Sequence, residues 1–218
     1  YASHTIAALD IALWDLKGKA LGQPLWRLLG GARSKVPVYA TFGFGFFERD
    51  QLAAAAKLWV SQGFQRLKMT VGGHALARRD EPRPIDEVIA EDVRRVAAVR
   101  EAVGPEVKLY VDANCGLDLF HATELARRIE PYGISFFEEP LTQNDVRQMA
   151  QLRSRTSIPL ACGQNEGLAF RFRDLLVNQA ADVLQPNVTI SGGYSQCLKI
   201  AGMAQAFNVP IDNGGAWP

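Results

Sequence analysis

Apolar residues along this chain follow two alternating rhythms. Seven short, nearly unbroken apolar runs recur at 36–42, 65–71, 107–113, 134–140, 158–163, 181–187 and 209–215. Between them lie longer segments whose apolar positions fall three and four apart, at 48–62, 86–102, 118–130, 144–153, 170–178 and 192–206. Runs apolar on both faces read as strands covered on both sides, and the three–four spacing reads as amphipathic helix. Segment 86–102 shows the helical rule, with Val88, Ile89, Val93, Val96 and Val99 on one side. Strands alternating with helices predict βαβ units and a parallel α/β sheet. Seven units favour a (β/α)-barrel over a doubly wound sheet. The polar residues gather at the C-terminal ends of the runs, where a barrel keeps its chemistry. An eighth strand is not visible. The chain stops at GGAWP just after the seventh run, so the expectation is a C-terminally incomplete barrel.

Ahead of the first run, residues 3–21 predict a helix with Ser3 as its cap and Ile6, Leu9, Leu13 and Leu16 at helical spacing. Trp14 widens that apolar face. LGQPLWRLLGG then predicts a short helix ending at Gly30 and Gly31. The polar stretch GGHALARRDEPRPID after the second run reads as a loop or lid.

Composition removes whole classes of function. The chain has 218 residues, 48% hydrophobic and 22% charged, with a net charge of +1. That gives no electrostatic case for nucleic acid or an anionic membrane. No apolar run reaches the ~18–20 residues that span a bilayer. The start lacks both a signal-peptide pattern and an initiator Met. Cys115, Cys162 and Cys197 are odd in number and spread apart, so a disulfide framework is not expected and a reducing, cytoplasmic setting is.

The chemistry concentrates at the run ends. Asp112 (KLYVDAN) and Glu138 (ISFFEEP) are 26 residues apart, and a further equal step lands on Gln164 (PLACGQNE). A barrel unit runs about 31 residues, so oxygen side chains at matching points of successive units converge at one mouth. Such a set suits a hard divalent cation such as Mg²⁺, and carboxylates gathered there would repel one another without one. The bland alternative for Asp112 is a helix cap or a lysine partner. The third position is an amide, with Glu166 two residues on. Strand alternation puts the two on one side, so either Gln164 or Glu166 is the third metal ligand. Glu139 is expected to orient Glu138 or a basic neighbour. Lys68 and Thr70 point the same way from the second run. A desolvated lysine can act as a base, whereas a threonine hydroxyl is a poor one. Asp212 is the titratable group at the seventh run end, as base or turn former. Asn114 and Asn165 are candidates for binding substrate or water. Ser191, Gly192 and Gly193 offer backbone N–H groups to an anion at a helix start. Arg153, Arg155, Arg171 and Arg173 are expected on solvated outer helices.

The pieces AALDIALWDLKGKALGQPLWRLLGG, LKMTVGG, VDAN, FEEP, CGQNE, QPNVTISGG and NVPIDNGGAWP occur in this order. Together they resemble the mandelate racemase/muconate lactonizing enzyme branch of the enolase superfamily. The resemblance implies an α+β capping domain, a modified TIM-type barrel and a catalytic Mg²⁺. Residues 1–31 would be the last helices of the capping domain and 32–218 the barrel. Asp112 and Glu138 match the first two metal ligands, and Gln164 stands where relatives carry Glu or Asp. Lys68 matches the first lysine of a Lys-x-Lys pair, which holds the substrate carboxylate, and Thr70 replaces the second, the usual base. The Asp–His dyad of racemase-type relatives is missing. Asn187 stands for the Asp, Ile190 for a lysine found in some relatives, and Ile211, Asp212, Asn213 and Gly214 include no histidine. His4 and His121 belong to helices, and His74 could reach a site only as part of a lid. Asn187 and Asn213 are left as substrate binders, since amides cannot relay a proton. The implied function is Mg²⁺-dependent removal of the proton α to the carboxylate of a hydroxy or sugar acid, with dehydration favoured. A racemase or epimerase of the same family, and a barrel that binds an acid without turning it over, are the alternatives. The implied partner is a small-molecule carboxylate, and the implied assembly a homo-oligomer.

Overall fold

The structure is a computed structural model that describes residues 2–73 and 83–215. The middle of the polar stretch after the second run, with His74, lies outside the described residues. The elements follow the predicted rhythm. Helices α1 (Ala2–Leu21) and α2 (Leu25–Leu28) precede strand β1 (Ala40–Gly43). Next come α3 (Arg49–Ser61), β2 (Arg66–Thr70), α4 (Ile85–Val103), β3 (Lys108–Asp112), α5 (Leu119–Ile129) and β4 (Ile134–Glu138). The chain continues with α6 (Val146–Arg153), β5 (Leu160–Cys162), α7 (Leu168–Val177), β6 (Val183–Leu184) and α8 (Gly193–Ala206). The strands form one sheet in the order β1-β2-β3-β4-β5-β6, with the β1 to β5 pairs parallel. Sequential parallel strands joined by helices are the order of a (β/α)-barrel. The seventh run is shorter than predicted. Ile211 makes a single parallel bridge to Leu184, and no strand is described there. Pro210 and the turn residues that follow give little backbone to pair.

The chain divides into two compact units, Val38–Ala161 and Tyr1–Pro37 with Cys162–Pro218. In the first unit, Leu67, Met69, Leu109, Val111 and Phe137 are fully buried. They alternate along the strands with Lys68, Thr70, Tyr110, Asp112 and Glu138, as the two-residue period requires. Helix α4 buries Val88, Ile89, Val96 and Val99, while Val93 is only half-buried. The hydrophobic pattern did not indicate that Asp92 and Arg95 are buried on the same helix. Arg95 Nη1 donates to Asp92 Oδ1 at 2.6 Å and to the Thr70 carbonyl at 3.1 Å, and Nη2 donates to the Phe44 carbonyl at 3.0 Å. Asp92 Oδ2 accepts the Gly72 N–H at 2.6 Å. This pair ties the ends of β1 and β2 to α4. Burial pushes the Asp92 carboxyl up, against the pull of Arg95 and of the Gly72 N–H.

In the second unit, α1 begins at Ala2, so Ser3 lies inside the helix rather than capping it. The predicted apolar face is also corrected. Ile6, Leu9, Leu13 and Leu16 are exposed, and the helix docks instead through the line of Ala7, Asp10, Trp14 and Gly18. Ala7 and Gly18 are buried, Trp14 Nε1 donates to Ser195 Oγ at 3.0 Å, and the Ser195 N–H donates to Asp10 Oδ1 at 3.1 Å. Two polar bonds tie α1 to α8, while Gly18 packs against Gln23 and Leu25. Gly193 is required there, since its φ is +85° and a Cβ would collide with Asp10. Among the described residues no helix is long and apolar enough to cross a membrane.

Candidate functional site

Strand register explains the 26-residue spacing. Thr70 pairs with Asp112, Asp112 with Glu138, and Glu138 with Ala161, so these four stand in one row across β2, β3, β4 and β5. Side chains two residues apart share a side, which brings Lys68 under that row. Lys68 Nζ donates to Asp112 Oδ2 at 3.0 Å and to Glu138 Oε1 at 2.6 Å. All three are buried, Glu138 completely. The other Asp112 oxygen, Oδ1, accepts the Asn114 N–H at 2.9 Å. Lys68 Nζ also lies 5.3 Å from the centre of the Tyr39 ring. Burial works against the lysine charge, but the carboxylates of Asp112 and Glu138 outweigh it. They hold the Lys68 pKa well above its ordinary value. In this arrangement the two carboxylates favour the protonated form of Lys68.

Two carboxylate oxygens therefore converge on a point already occupied by positive charge. Among the described residues no group of three His, Cys, Asp or Glu side chains is arranged to hold a metal ion. A pair of carboxylates still fits Mg²⁺, which is commonly held by one or two carboxylates and keeps water in its other positions.

Thr70 is buried, and its Oγ1 donates to the Gly43 carbonyl at 2.9 Å. The hydroxyl thus ties the ends of β1 and β2 together. Glu139 lies just past the end of β4. It is fully buried at φ +44°, and its Oε2 accepts from Cys115 Sγ at 2.6 Å and from Asn144 Nδ2 at 2.8 Å. Sequence reasoning missed Cys115 and Asn144 as its partners. Cys115 directly follows the VDAN motif, the one signal that could have pointed to it.

The remaining candidates belong to the second unit. Gln164 and Asn165 form a turn after β5, following Gly163 at φ +123°. Strand alternation therefore does not govern Gln164 and Glu166, contrary to expectation. Glu166 is buried, and its Oε2 accepts from Arg171 Nε at 2.8 Å. Arg171, expected only to solvate a helix, is a partner of that carboxylate. Asn187 is buried, and its Oδ1 accepts both the Thr189 N–H at 3.0 Å and Thr189 Oγ1 at 2.7 Å. Asn213 Nδ2 donates to the Gly215 carbonyl at 2.8 Å. Asp212 is exposed, and its N–H donates to the Leu184 carbonyl at 2.9 Å. The Ser191 hydroxyl is committed too, donating to the Glu166 carbonyl at 3.0 Å and accepting the Asn187 N–H at 3.1 Å. The start of α8 already has its anion, the Asp10 carboxylate on the Ser195 N–H.

Comparison with known proteins agrees with this geometry. Residues 51–217 match the family described as enolase C-terminal domain-like, and residues 1–30 match the mandelate racemase/muconate lactonizing enzyme N-terminal domain. The chain is 33% identical to an arabinonate dehydratase of Saccharolobus solfataricus over 94% of its own length and 52% of that protein. It is 36% identical to a D-gluconate dehydratase of Thermoproteus tenax over 99% of its length and 43% of that protein. The chain thus spans about half the length of the curated relatives it matches. A crystal structure of L-talarate dehydratase from a Polaromonas species, complexed with Mg and L-glucarate, superposes with a TM-score of 0.85. That match has 35% identity and covers 98% of this chain and 57% of the other. Strand order, register row and sequence together place the chain in the enolase superfamily, in its mandelate racemase/muconate lactonizing enzyme branch.

Proposed function

We propose that this chain carries the metal and carboxylate site of a Mg²⁺-dependent acid-sugar dehydratase. The observation that carries the reading is Lys68 held between the buried carboxylates of Asp112 and Glu138. Asp112 and Glu138 would hold the ion. Gln164, which stands where relatives carry Glu or Asp, is the favoured third oxygen donor, with Glu166, paired to Arg171, as the alternative. Mg²⁺ bound there supplies positive charge that stabilises the negative charge developing on a substrate carboxylate. Lys68 adds a second positive charge and serves as the substrate-carboxylate holder rather than as the base. Thr70 keeps the end of β2 in place through Gly43. Asn114, Asn187 and Asn213 remain candidates for contacting substrate hydroxyls. Asp212, an exposed carboxylate at the end of the seventh run, is the proposed base. With no histidine at 211–214, one-base elimination of water fits better than two-base racemisation.

The test uses the 218-residue chain with Mg²⁺ and a panel that includes arabinonate, gluconate and galactonate. The expected result is Mg²⁺-dependent formation of a 2-keto-3-deoxy acid, with loss of both Mg²⁺ binding and product in Asp112→Asn and Glu138→Gln. Mg²⁺ binding with neither product nor exchange of the α-proton for deuterium would overturn the dehydratase reading. It would leave a barrel that binds an acid without turnover, a second reading favoured by the commitment of the Asn187 oxygen to Thr189.

A further inference from the structure

We propose that Cys115 and Asn144 are positioning residues that aim the Glu138 carboxylate by fixing the conformation of Glu139. The inference rests on the metal-site reading above, and every residue in it belongs to the Val38–Ala161 unit.

The chain turns sharply after Glu138. Glu139 adopts φ +44°, a left-handed conformation that strains a non-glycine residue and persists only where the surroundings enforce it. The enforcement is visible. Glu139 is completely buried, and its Oε2 accepts one hydrogen bond from the Cys115 thiol and another from the Asn144 amide, at 2.6 and 2.8 Å. The two donors come from different loops. Cys115 lies between β3 and α5, and Asn144 between β4 and α6. Both are themselves left-handed, at φ +57° and +47°.

Backbone bonds complete the staple. The Ala113 N–H donates to the Glu138 carbonyl at 3.0 Å, and the Cys115 N–H donates to the Glu139 carbonyl at 2.7 Å. The end of β3, which carries Asp112, and the end of β4, which carries Glu138, are therefore bound to each other just beyond the carboxylate pair. Glu139 turns to the Cys115 and Asn144 donors, whereas Glu138 turns to Lys68. Glu139 acts on Glu138 through the peptide between them. A carboxylate is acceptor-only, so a buried Glu139 depends on its donors. Removing one frees the turn and loosens the separation of Asp112 Oδ2 from Glu138 Oε1. The thiol supplies a donor three residues after Asp112, and a hydroxyl at the same position would supply an equivalent one.

The experiment compares the full chain with Cys115→Ala and Cys115→Ser. Mg²⁺ affinity is read by calorimetry. The Lys68 ammonium is read separately by NMR with ¹⁵N-labelled lysine, since its protection depends on its bonds to Asp112 and Glu138 and needs no metal. Cys115→Ala is expected to weaken Mg²⁺ binding about tenfold and to shift or broaden the Lys68 signal. Cys115→Ser is expected to stay within about threefold of the parent and to keep the signal. If Cys115→Ala does not fold, Asn144→Ala removes a second donor to the same oxygen and is read in the same way. An unchanged Lys68 signal in a folded variant lacking either donor overturns the proposal. If the parent chain binds no Mg²⁺, the metal reading fails while the lysine signal still decides the positioning role.

Discussion

The strand ends at Asp112 and Glu138 and those at Gln164 and Asn187 look alike in sequence but satisfy their polar groups differently. The first set consists of carboxylate acceptors around one lysine, Lys68. The second is mostly amides that bond their own loops. Asn187 turns to Thr189, Asn213 to Gly215, and the buried carboxylate there, Glu166, takes Arg171. The difference follows from donor inventories. An amide carries both donors and acceptors and finds partners among nearby backbone groups. A carboxylate only accepts, and when buried it requires a cation or a set of donors. Buried paired carboxylates thus keep a standing demand for positive charge, which a metal ion can meet. Amides that close their own turns make no such demand. The first unit thus holds two buried carboxylates on one lysine, whereas the second holds Glu166 with Arg171 among amides.

The largest expected effect comes from removing that lysine. Lys68→Met leaves two buried carboxylates without their lysine, and breaking a buried pair in this way costs about 3–5 kcal/mol. Denaturant unfolding in chelator should show a loss of that size. Added Mg²⁺ should restore more stability to the variant than to the parent, because it meets the same demand. Equal Mg²⁺ stabilisation of both proteins would break the comparison. The pH dependence has a definite sign. Lys68 has a raised pKa in the folded chain, so its contribution is fully present below the ordinary lysine value, about 10.4. It is lost as pH climbs through the higher folded value. The stability that the lysine charge adds to the parent should therefore persist through neutral pH and be lost in strong alkali.

Most of the fold was legible in the sequence because helix and strand periods are local. The six helices predicted after the first strand lie within two residues of the observed ends, as at 86–102 against Ile85–Val103. The register row was legible as well, because equal spacing in a repeating unit becomes adjacency in a parallel sheet. What stayed hidden depends on partners far away in sequence. The exposure of Ile6, Leu9, Leu13 and Leu16 could not be read from α1, whose docking side is set by Asp10 and Trp14 meeting Ser195. The equal step to Gln164 does not continue the strand register. Glu138 pairs with Ala161, and β5 ends at Cys162, so Gln164 falls in a turn. Arg171 and Cys115 were missed because their partners are set by loop conformation rather than by any period.

A smaller effect separates the two candidates for a third oxygen donor. Glu166→Ala removes a carboxylate whose partner, Arg171, is about one-third exposed. Water can take over much of the guanidinium's solvation, so the stability loss should stay near 1 kcal/mol, roughly the upper end for pairs open to solvent. Mg²⁺ affinity should stay within about threefold, whereas Gln164→Ala should lower it about tenfold, or about 1.4 kcal/mol. Calorimetry on the two variants reads both values. A tenfold loss in Glu166→Ala would assign the donor to Glu166 and show that its bond to Arg171 gives way to the ion.

The smallest expected effect lies entirely within the amide region. Asn187 closes its own turn by accepting from Thr189 N–H and Oγ1. Asn187→Ala removes both bonds and leaves the Thr189 N–H, on an exposed residue, to find water. The loss should be about 1 kcal/mol, the net worth of such bonds. Asn187→Asp is the sharper probe. A carboxylate oxygen can accept the same two hydrogen bonds, but Asn187 is buried, so the added charge should cost more stability than the loss in Asn187→Ala. If Asn187 serves only its own turn, neither variant should change Mg²⁺ affinity or the Lys68 ammonium signal. A change in substrate KM without a change in Mg²⁺ affinity would instead assign Asn187 to substrate. It would show that a locally satisfied amide can still present its remaining N–H donors to a ligand.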